Sequence, residues 1–282
     1  MSESSFTEVR TPLDVATRGF ALWAHNATKL WTVLVPVYGI AQLIGVWIIV
    51  SSAPSGSVVV SGTIFVPPGS STSGLVRAHV VWLILIALVG VFSTGVGLRI
   101  FGEAAAGRSE KASDAARFAL SRYRSLLWVA VLYAVVTLAG SFALILPGIY
   151  VLVAFAVALP VLAIEGAPGG AALRRSRELV KGRWWATLVA LLPSFVLLIG
   201  GTVIVETSLD VSGSVANLTL TQGVAQLVVE VLLAPVVVAT TIAIYAELRA
   251  RKEPGRVLDL AEPPASVVVS PARVAQGDIW WS

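Results

Sequence analysis

The sequence predicts an all-α, polytopic integral membrane protein that crosses the bilayer six times. Three observations predict this class. Of the 282 residues, 56% are hydrophobic and only 13% are charged, whereas about a quarter of the residues of a soluble domain carry charge. Six segments are apolar over about the 20 residues that a hydrocarbon core about 30 Å thick requires. The basic residues are concentrated in alternate connections between these segments, which is typical of a multi-span topology.

The six spans are predicted from the apolar runs of the chain. The fourth run is short for a full crossing and is expected to use flanking residues. Gly95 and Gly97 lie inside the second span, where small residues are typical of close helix packing. In the first outer connection, the alternating residues 58–66 predict a small hairpin around Ser61-Gly62. The runs are 30–51, 79–101, 126–145, 149–164, 186–205 and 224–246.

The positions of the charges predict the orientation. Of the 20 Lys and Arg residues, only Arg77 lies in the connections that follow the odd-numbered spans. By the positive-inside rule, both termini are expected in the cytoplasm of a multi-pass protein of the plasma membrane. Three regions follow: a cytoplasmic N-terminal segment with an interfacial helix (1–29), a six-span membrane domain (30–251) and a disordered cytoplasmic tail (252–282).

Two of the basic connections have the pattern of amphipathic helices. Residues 112–124 and 172–184 each place apolar side chains on one face and Arg on the other, which is typical of helices at the membrane interface. A third such segment surrounds Phe20, and in each case a Trp opens the next span. The sequence therefore predicts three units, each an interfacial helix followed by a transmembrane hairpin. The alternative is that any helix entering the membrane from the cytoplasm has this pattern.

Glu230 is the principal candidate for an intramembrane polar site, together with Gln226 and Gln42. Ionisable groups inside a membrane are costly and are often functional. Pro235 is expected to free a backbone carbonyl and to kink the sixth span. Two interpretations stay open. Glu230 is either a proton or cation site facing the bundle interior, or a carboxyl, protonated or hydrogen-bonded to Gln42 or a Tyr, that ties helices together.

A second candidate cluster lies at the cytoplasmic end of the fourth span. Glu165 precedes a group of basic residues in and after the predicted helix 172–184. The simpler interpretation is a structural ion pair that fixes this helix. The alternative is a phosphate site, because Arg forks match phosphate oxygens and lipid headgroups are the nearest phosphates. The basic residues are Arg174, Arg175, Arg177, Lys181 and Arg183.

The stretch Leu146–Leu192 resembles a known family, the membrane domain associated with glycerophosphoryl diester phosphodiesterases, which also occurs alone in actinobacterial membrane proteins. The likeness extends weakly over about 10–255, including the basic ending Ile244–Pro254, where Glu247 stands in place of the family's frequent Asp. It implies a stand-alone six-helix membrane architecture without the soluble catalytic barrel, so no catalytic residue is carried over. The shared positions are Pro147-Gly148, Pro160, Glu165-Gly166, Ala172–Ser176 and Gly182-Arg183-Trp184.

The residue inventory gives little support for catalysis. The chain has no Cys, and its two His residues, His25 and His79, are predicted on opposite sides of the membrane. We expect a non-enzymatic membrane module without a cofactor, acting as a lipid-contacting scaffold or accessory subunit. The alternative is a small-molecule or ion permease that uses the intramembrane carboxylate. The expected partners are the bilayer and anionic headgroups, with a membrane protein or a second copy as further candidates and no nucleic acid.

Overall fold

The structure, a computed structural model, describes residues 11–60, 63–143, 145–167, 169–208 and 213–253. Six helical stretches in it are long and apolar enough to cross a membrane, which confirms the predicted fold class. The predicted tail lies outside the described residues from position 254 onward. The helices are α1 (Pro12–Ser52), α2 (Ser73–Ala105), α3 (Ala112–Ser121), α4 (Tyr123–Ala143), α5 (Ile145–Ala154), α6 (Ala158–Glu165), α7 (Gly169–Val180), α8 (Trp184–Ser208), α9 (Val215–Val228) and α10 (Ala234–Lys252).

The predicted hairpin in the connection between the first two spans is confirmed. Strands β1 (Val58–Val60) and β2 (Thr63–Phe65) pair antiparallel, while Ser61 and Gly62 lie outside the described residues. The amide and carbonyl of Val59 both bond Gly213, each at 2.9 Å. This bridge connects the hairpin to the segment that precedes α9.

Helix α1 differs from the prediction of a separate interfacial helix followed by a span. It runs without interruption through 41 residues, about 60 Å at 1.5 Å per residue and twice the hydrocarbon thickness. Its start is fixed by a capping box, in which the Asp14 carboxylate accepts from the Thr11 amide at 2.8 Å and Pro12 occupies the first turn. The polar residues before position 30 masked this continuity, because a hydropathy pattern detects apolar surface and not backbone hydrogen bonding.

The other two predicted entry helices are separate short elements. Helix α3 buries Ala115 and Ala119, and α7 buries five residues including Ser176 and Leu179. Both end a few residues earlier than predicted, because Tyr123 and Trp184 already begin the next helices.

The fourth span consists of two helices, α5 and α6, rather than one. Side chains of three other helices donate to carbonyls of α5. Ser176, which is fully buried, donates its hydroxyl to the Ala154 carbonyl at 3.0 Å. The other two bonds run from Tyr133 to Leu152 at 3.2 Å and from Trp184 to Tyr150 at 3.2 Å. The bonds to Ala154 and Leu152 satisfy carbonyls in the last turn of α5, as burial away from water requires.

The last span also contains a local irregularity. A π-helical turn, Val229–Leu233, separates α9 from α10, and the Ala234 amide bonds the Val229 carbonyl five residues back. Helix α1 packs antiparallel along this composite helix. Gly19 lies against Thr240, and Gly39 lies near Leu227.

Glycines mark the closest helix contacts, as predicted for Gly95 and Gly97. A Cβ on Gly95 would stand 2.7 Å from Leu126 Cδ1, and one on Gly97 would stand 3.2 Å from Val238 Cγ1. The tightest contact to backbone is at Gly19, where a Cβ would stand 2.6 Å from the Cα of Thr240. Backbone cannot rotate away as a side-chain tip can, so α1 and α10 would have to separate.

We expect G19A to destabilise the protein by about 1–3 kcal/mol, because the added methyl overpacks the α1–α10 contact. The matched control is G200A in α8, where an added Cβ meets nothing within 4 Å and Ala is the better helix former. Thermal unfolding of the two purified variants in detergent checks the prediction. A G19A protein that melts at or above G200A would contradict it.

Candidate functional site

Glu230 lies in the π-helical turn and is held from two sides. The Tyr38 hydroxyl donates to Oε2 at 3.2 Å, and the Gln226 amide donates to Oε1 at 3.0 Å. Tyr38 comes from α1 and is almost fully buried, with 1% of its surface exposed. The carboxyl therefore connects the first and last helices, as one of the two sequence interpretations expected.

Pro235 frees a carbonyl, as predicted, and the structure supplies its partner. Proline has no amide hydrogen, so the carbonyl four residues earlier, at Val231, loses its helical bond. The indole of Trp31 donates to this oxygen at 3.1 Å. The π turn that carries Glu230 is thus fixed to α1 by a backbone contact as well as by Tyr38. Single π turns within helices are frequent at functional sites.

A cavity of about 250 Å³, which we call the Glu230 cavity, adjoins this carboxyl. Its lining comes from α1, α2, α4, α6, the π turn and α10. Most of the lining is Ala, Gly, Val and Leu, and the polar contributions are Tyr38, Ser93, Thr94 and Glu230. The structure thus places a carboxylate on the wall of a small, mostly apolar chamber between the spans.

Gln42, the third predicted member of this site, does not bond Glu230. It lies one turn beyond Tyr38 on α1, where its Oε1 accepts from the Trp82 indole at 3.3 Å. The sequence could not choose between Tyr38 and Gln42, because both lie on the same face of the same helix. Tyr38 is at the level of the π turn, and Gln42 is at the level of Gly223.

The predicted cluster of Glu165 and basic residues divides into two parts. The first part, which we call the Glu165 network, is an ion-pair network. Arg175 donates to Glu165 through Nε at 3.0 Å and also pairs with Glu253 beyond α10. Tyr245 donates to Glu165 at 2.9 Å, and Arg249 donates to the Tyr245 hydroxyl at 3.0 Å. These bonds join α6, α7 and α10.

The electrostatic effect of this network shows in Arg175. Burial lowers the pKa of this guanidinium, but the hydrogen bonds to Glu253 and Glu165 outweigh burial and hold the pKa above its usual value. The charged form is therefore the one that the network stabilises. The predicted ion pair at Glu165 thus involves Arg175 and extends to Tyr245 and Glu253, which the sequence analysis did not identify.

The second part of the cluster surrounds an open depression, which we call the α7 groove. Arg174, Arg177 and Lys181 line it, with a volume of about 390 Å³. Its wall includes Trp184, whose ring stacks on Tyr150 with centroids 5.9 Å apart. Arg183, the remaining predicted member, does not line this groove and is found beside α1 and α10.

The basic side chains of the α7 groove lack carboxylate partners within the part of the chain that the structure describes. No ion pair within 4 Å involves Arg174, Arg177 or Lys181 there. One carboxylate, Glu178, also lines the groove, so the three cations outnumber it. Lys252 donates to the carbonyls of Glu178 and Lys181, a favourable position for a cation at a helix C-terminus.

A second ion network, at the end of α2, was not predicted from the sequence. Glu103 is 6% exposed and pairs with Arg99 at 2.9 Å and with Arg108 at 2.5 Å. Arg99 also donates to Glu110 at 3.2 Å. Only the four-residue spacing of Arg99 and Glu103 signals this pairing in the sequence. Across the described residues, no three His, Cys, Asp or Glu side chains gather where they could hold a metal ion.

The six apolar helices, with a carboxylate-lined cavity between them, define an integral membrane protein of the all-α class. Comparison of the chain with family models, curated proteins and solved structures finds no match. The resemblance of Leu146–Leu192 to the membrane domain of glycerophosphoryl diester phosphodiesterases therefore stays a prediction.

The adjacent residues Arg174 and Arg175 allow a matched test of the Glu165 network. We expect R175Q to lower stability by about 1–3 kcal/mol, because it leaves Glu165 and Glu253 without their shared guanidinium at a partly buried site. R174Q removes a charge without a described ion pair and should change stability by less than about 0.5 kcal/mol. Thermal unfolding in detergent measures both. Equal melting temperatures would refute the structural role of Arg175.

Proposed function

We propose that this protein is a non-enzymatic integral membrane module that binds anionic lipid headgroups on its cytoplasmic face through the α7 groove. It acts as a lipid-contacting scaffold or accessory subunit of the plasma membrane, with both termini in the cytoplasm. The observation that carries the proposal is the group of three basic side chains around one depression, beside a stacked Tyr–Trp pair.

The chemistry of the groove suits a phosphate headgroup. Arg forks match phosphate oxygens, and Lys contributes a point charge. Each such residue near an anionic membrane surface contributes about 1 kcal/mol of attraction. Trp184 and Trp185 begin α8, where their rings pack edge to face with centroids 4.7 Å apart. Trp at the start of a span is typical of the headgroup level, so the basic side chains would lie beside lipid phosphates.

Arg175 has carboxylate partners and its basic neighbours line the groove, and this difference supports the same proposal. Arg175 has two carboxylate partners and stabilises the fold, so its charge is largely compensated. Arg174, Arg177 and Lys181 line the groove instead. Helix α7 and the residue that follows it thus carry one basic side chain with carboxylate partners and three that line the groove, where an external anion could bind.

The proposed orientation is testable because the chain contains no cysteine. Ser71 and Ser113 are both exposed and lie in connections that we place on opposite sides of the membrane. We expect S71C to react with a membrane-impermeant maleimide in intact cells, and S113C to react only after the cells are permeabilised. Labelling of S113C in intact cells, with S71C protected, would reverse the proposed topology.

The lipid site predicts a specific loss on removing its charges. We expect the triple variant R174Q/R177Q/K181Q to retain at least tenfold less phosphatidylglycerol or cardiolipin than the wild type, because losing three contributions of about 1 kcal/mol weakens binding by about 100-fold. Mass spectrometry of lipids bound to protein purified in mild detergent measures the ratio. Arg175 is left unchanged so that the Glu165 network stays intact.

The matched control is K111Q/R117Q/R124Q, which removes the same charge from the surroundings of α3. It should keep most of its anionic lipid. An equal loss in both triple variants would indicate general surface attraction and contradict a site at the α7 groove. An unchanged lipid content in the groove variant would contradict the proposal outright.

A further inference from the structure

The Glu230 cavity has features that the proposed lipid function does not use. We propose that it binds a small primary alkylammonium cation, with the ammonium on Glu230 and the short alkyl body against the apolar wall. This inference concerns binding within the spans and does not depend on the α7 groove. A permease for such a cation would need this site, but the inference stands without transport.

The charge of the site favours a cation. None of the ion pairs among the described residues includes Glu230, so this carboxylate has no Lys, Arg or His partner there. It receives one hydrogen bond on each oxygen, from Gln226 and Tyr38. An ionised carboxylate offers about four acceptor positions, so it can accept further hydrogen bonds from an ammonium group.

Because the site lies within the spans, a cationic ligand would stabilise an ionised Glu230 more than it would stabilise a carboxylate at the surface. A charged carboxylate inside a membrane is costly unless it is paired. No residue in the cavity lining is basic. An ammonium ion would compensate the carboxylate without requiring movement of a helix, because Tyr38 and Gln226 already hold both oxygens in place.

The size and lining of the cavity favour an organic cation over a bare metal ion. Its volume of about 250 Å³ corresponds to about eight water molecules at about 30 Å³ each, which leaves room for a short alkyl chain. Calcium takes about six to eight oxygen ligands and magnesium about six, whereas the side-chain oxygens of the lining come from only four residues. Ligand pockets typically combine apolar walls with a few polar groups in this way.

The polar groups lie at positions suited to the head of such a ligand. Glu230 and Tyr38 are joined by a hydrogen bond, and Ser93 on α2 lines the same chamber and is buried. The apolar remainder of the wall includes Leu126, Leu159 and Val238. A primary ammonium has three donors, so the carboxylate and neighbouring hydroxyls can take them while the alkyl chain contacts the apolar side chains.

The test measures thermal unfolding of the full chain in detergent with n-butylammonium chloride, n-butanol or sodium chloride at equal concentration. Butanol has the same alkyl chain without the charge, and sodium chloride controls for ionic strength. We expect butylammonium to raise the melting temperature of the wild type by about 3 °C or more in a saturable manner, and the two controls to leave it unchanged. No saturable rise, or an equal rise with butanol, would overturn the proposal.

Three variants locate the effect. E230Q should lose the butylammonium response, because its amide has no charge while its carbonyl can still accept from Tyr38. E247Q makes the same change at the other end of the last span, where Glu247 pairs with Arg251, and should keep the response. A130L retains Glu230 but fills the cavity wall and should also lose it. A response that persists in folded E230Q or A130L would overturn the site assignment. If neither variant folds, the comparison of butylammonium with butanol and sodium chloride on the wild type decides whether the proposal stands.

Discussion

The antiparallel contact between α1 and the last span is the interaction on which the other features of the membrane domain depend. It extends from Gly19 beside Thr240 to Gly39 beside Leu227, and between these points Trp31 donates to the Val231 carbonyl. A helix of about 60 Å is here aligned with a neighbour of similar length. Helices α2, α6 and α8 pack against this pair, and both the Glu230 cavity and the Glu165 network include residues of α10.

A second constraint explains why the irregular parts of the bundle are stable. Every backbone polar group within the hydrocarbon layer needs a partner, because no water is present to supply one. At the break between α5 and α6 the donors are Ser176 and Tyr133, and at the π turn the donor is Trp31. Each donor belongs to a different helix from its acceptor. The irregularities therefore act as specific connections between helices, because each can be satisfied only in the assembled fold.

The sequence was sufficient for features that depend on composition and local pattern. The number of spans follows from apolar run length, the hairpin at β1 and β2 follows from alternation, and the carbonyl released by Pro235 follows from its missing amide hydrogen. The sequence was insufficient for features that depend on contacts between helices. The continuity of α1 was hidden by its polar exposed face, and the π turn has no sequence pattern of its own. The choice of Tyr38 over Gln42 depends on the vertical register of two helices.

The carboxylates at the basic end of the molecule and the carboxylate within the spans differ in their bonding partners. Glu103 and Glu165, at the end where the basic residues gather, each have an Arg partner. Glu103 pairs within α2 and with Arg108 just after it, whereas Glu165 joins α6 to α7. Glu230, deep in the spans, is held by neutral donors and faces a chamber with no basic residue in its lining. A role limited to tying α1 to the last span would need only a neutral acceptor for Tyr38, which an amide supplies without the cost of an ionisable group in the membrane. An ionised carboxylate there would add a negative charge beside the cavity, and the cation that we propose would compensate it.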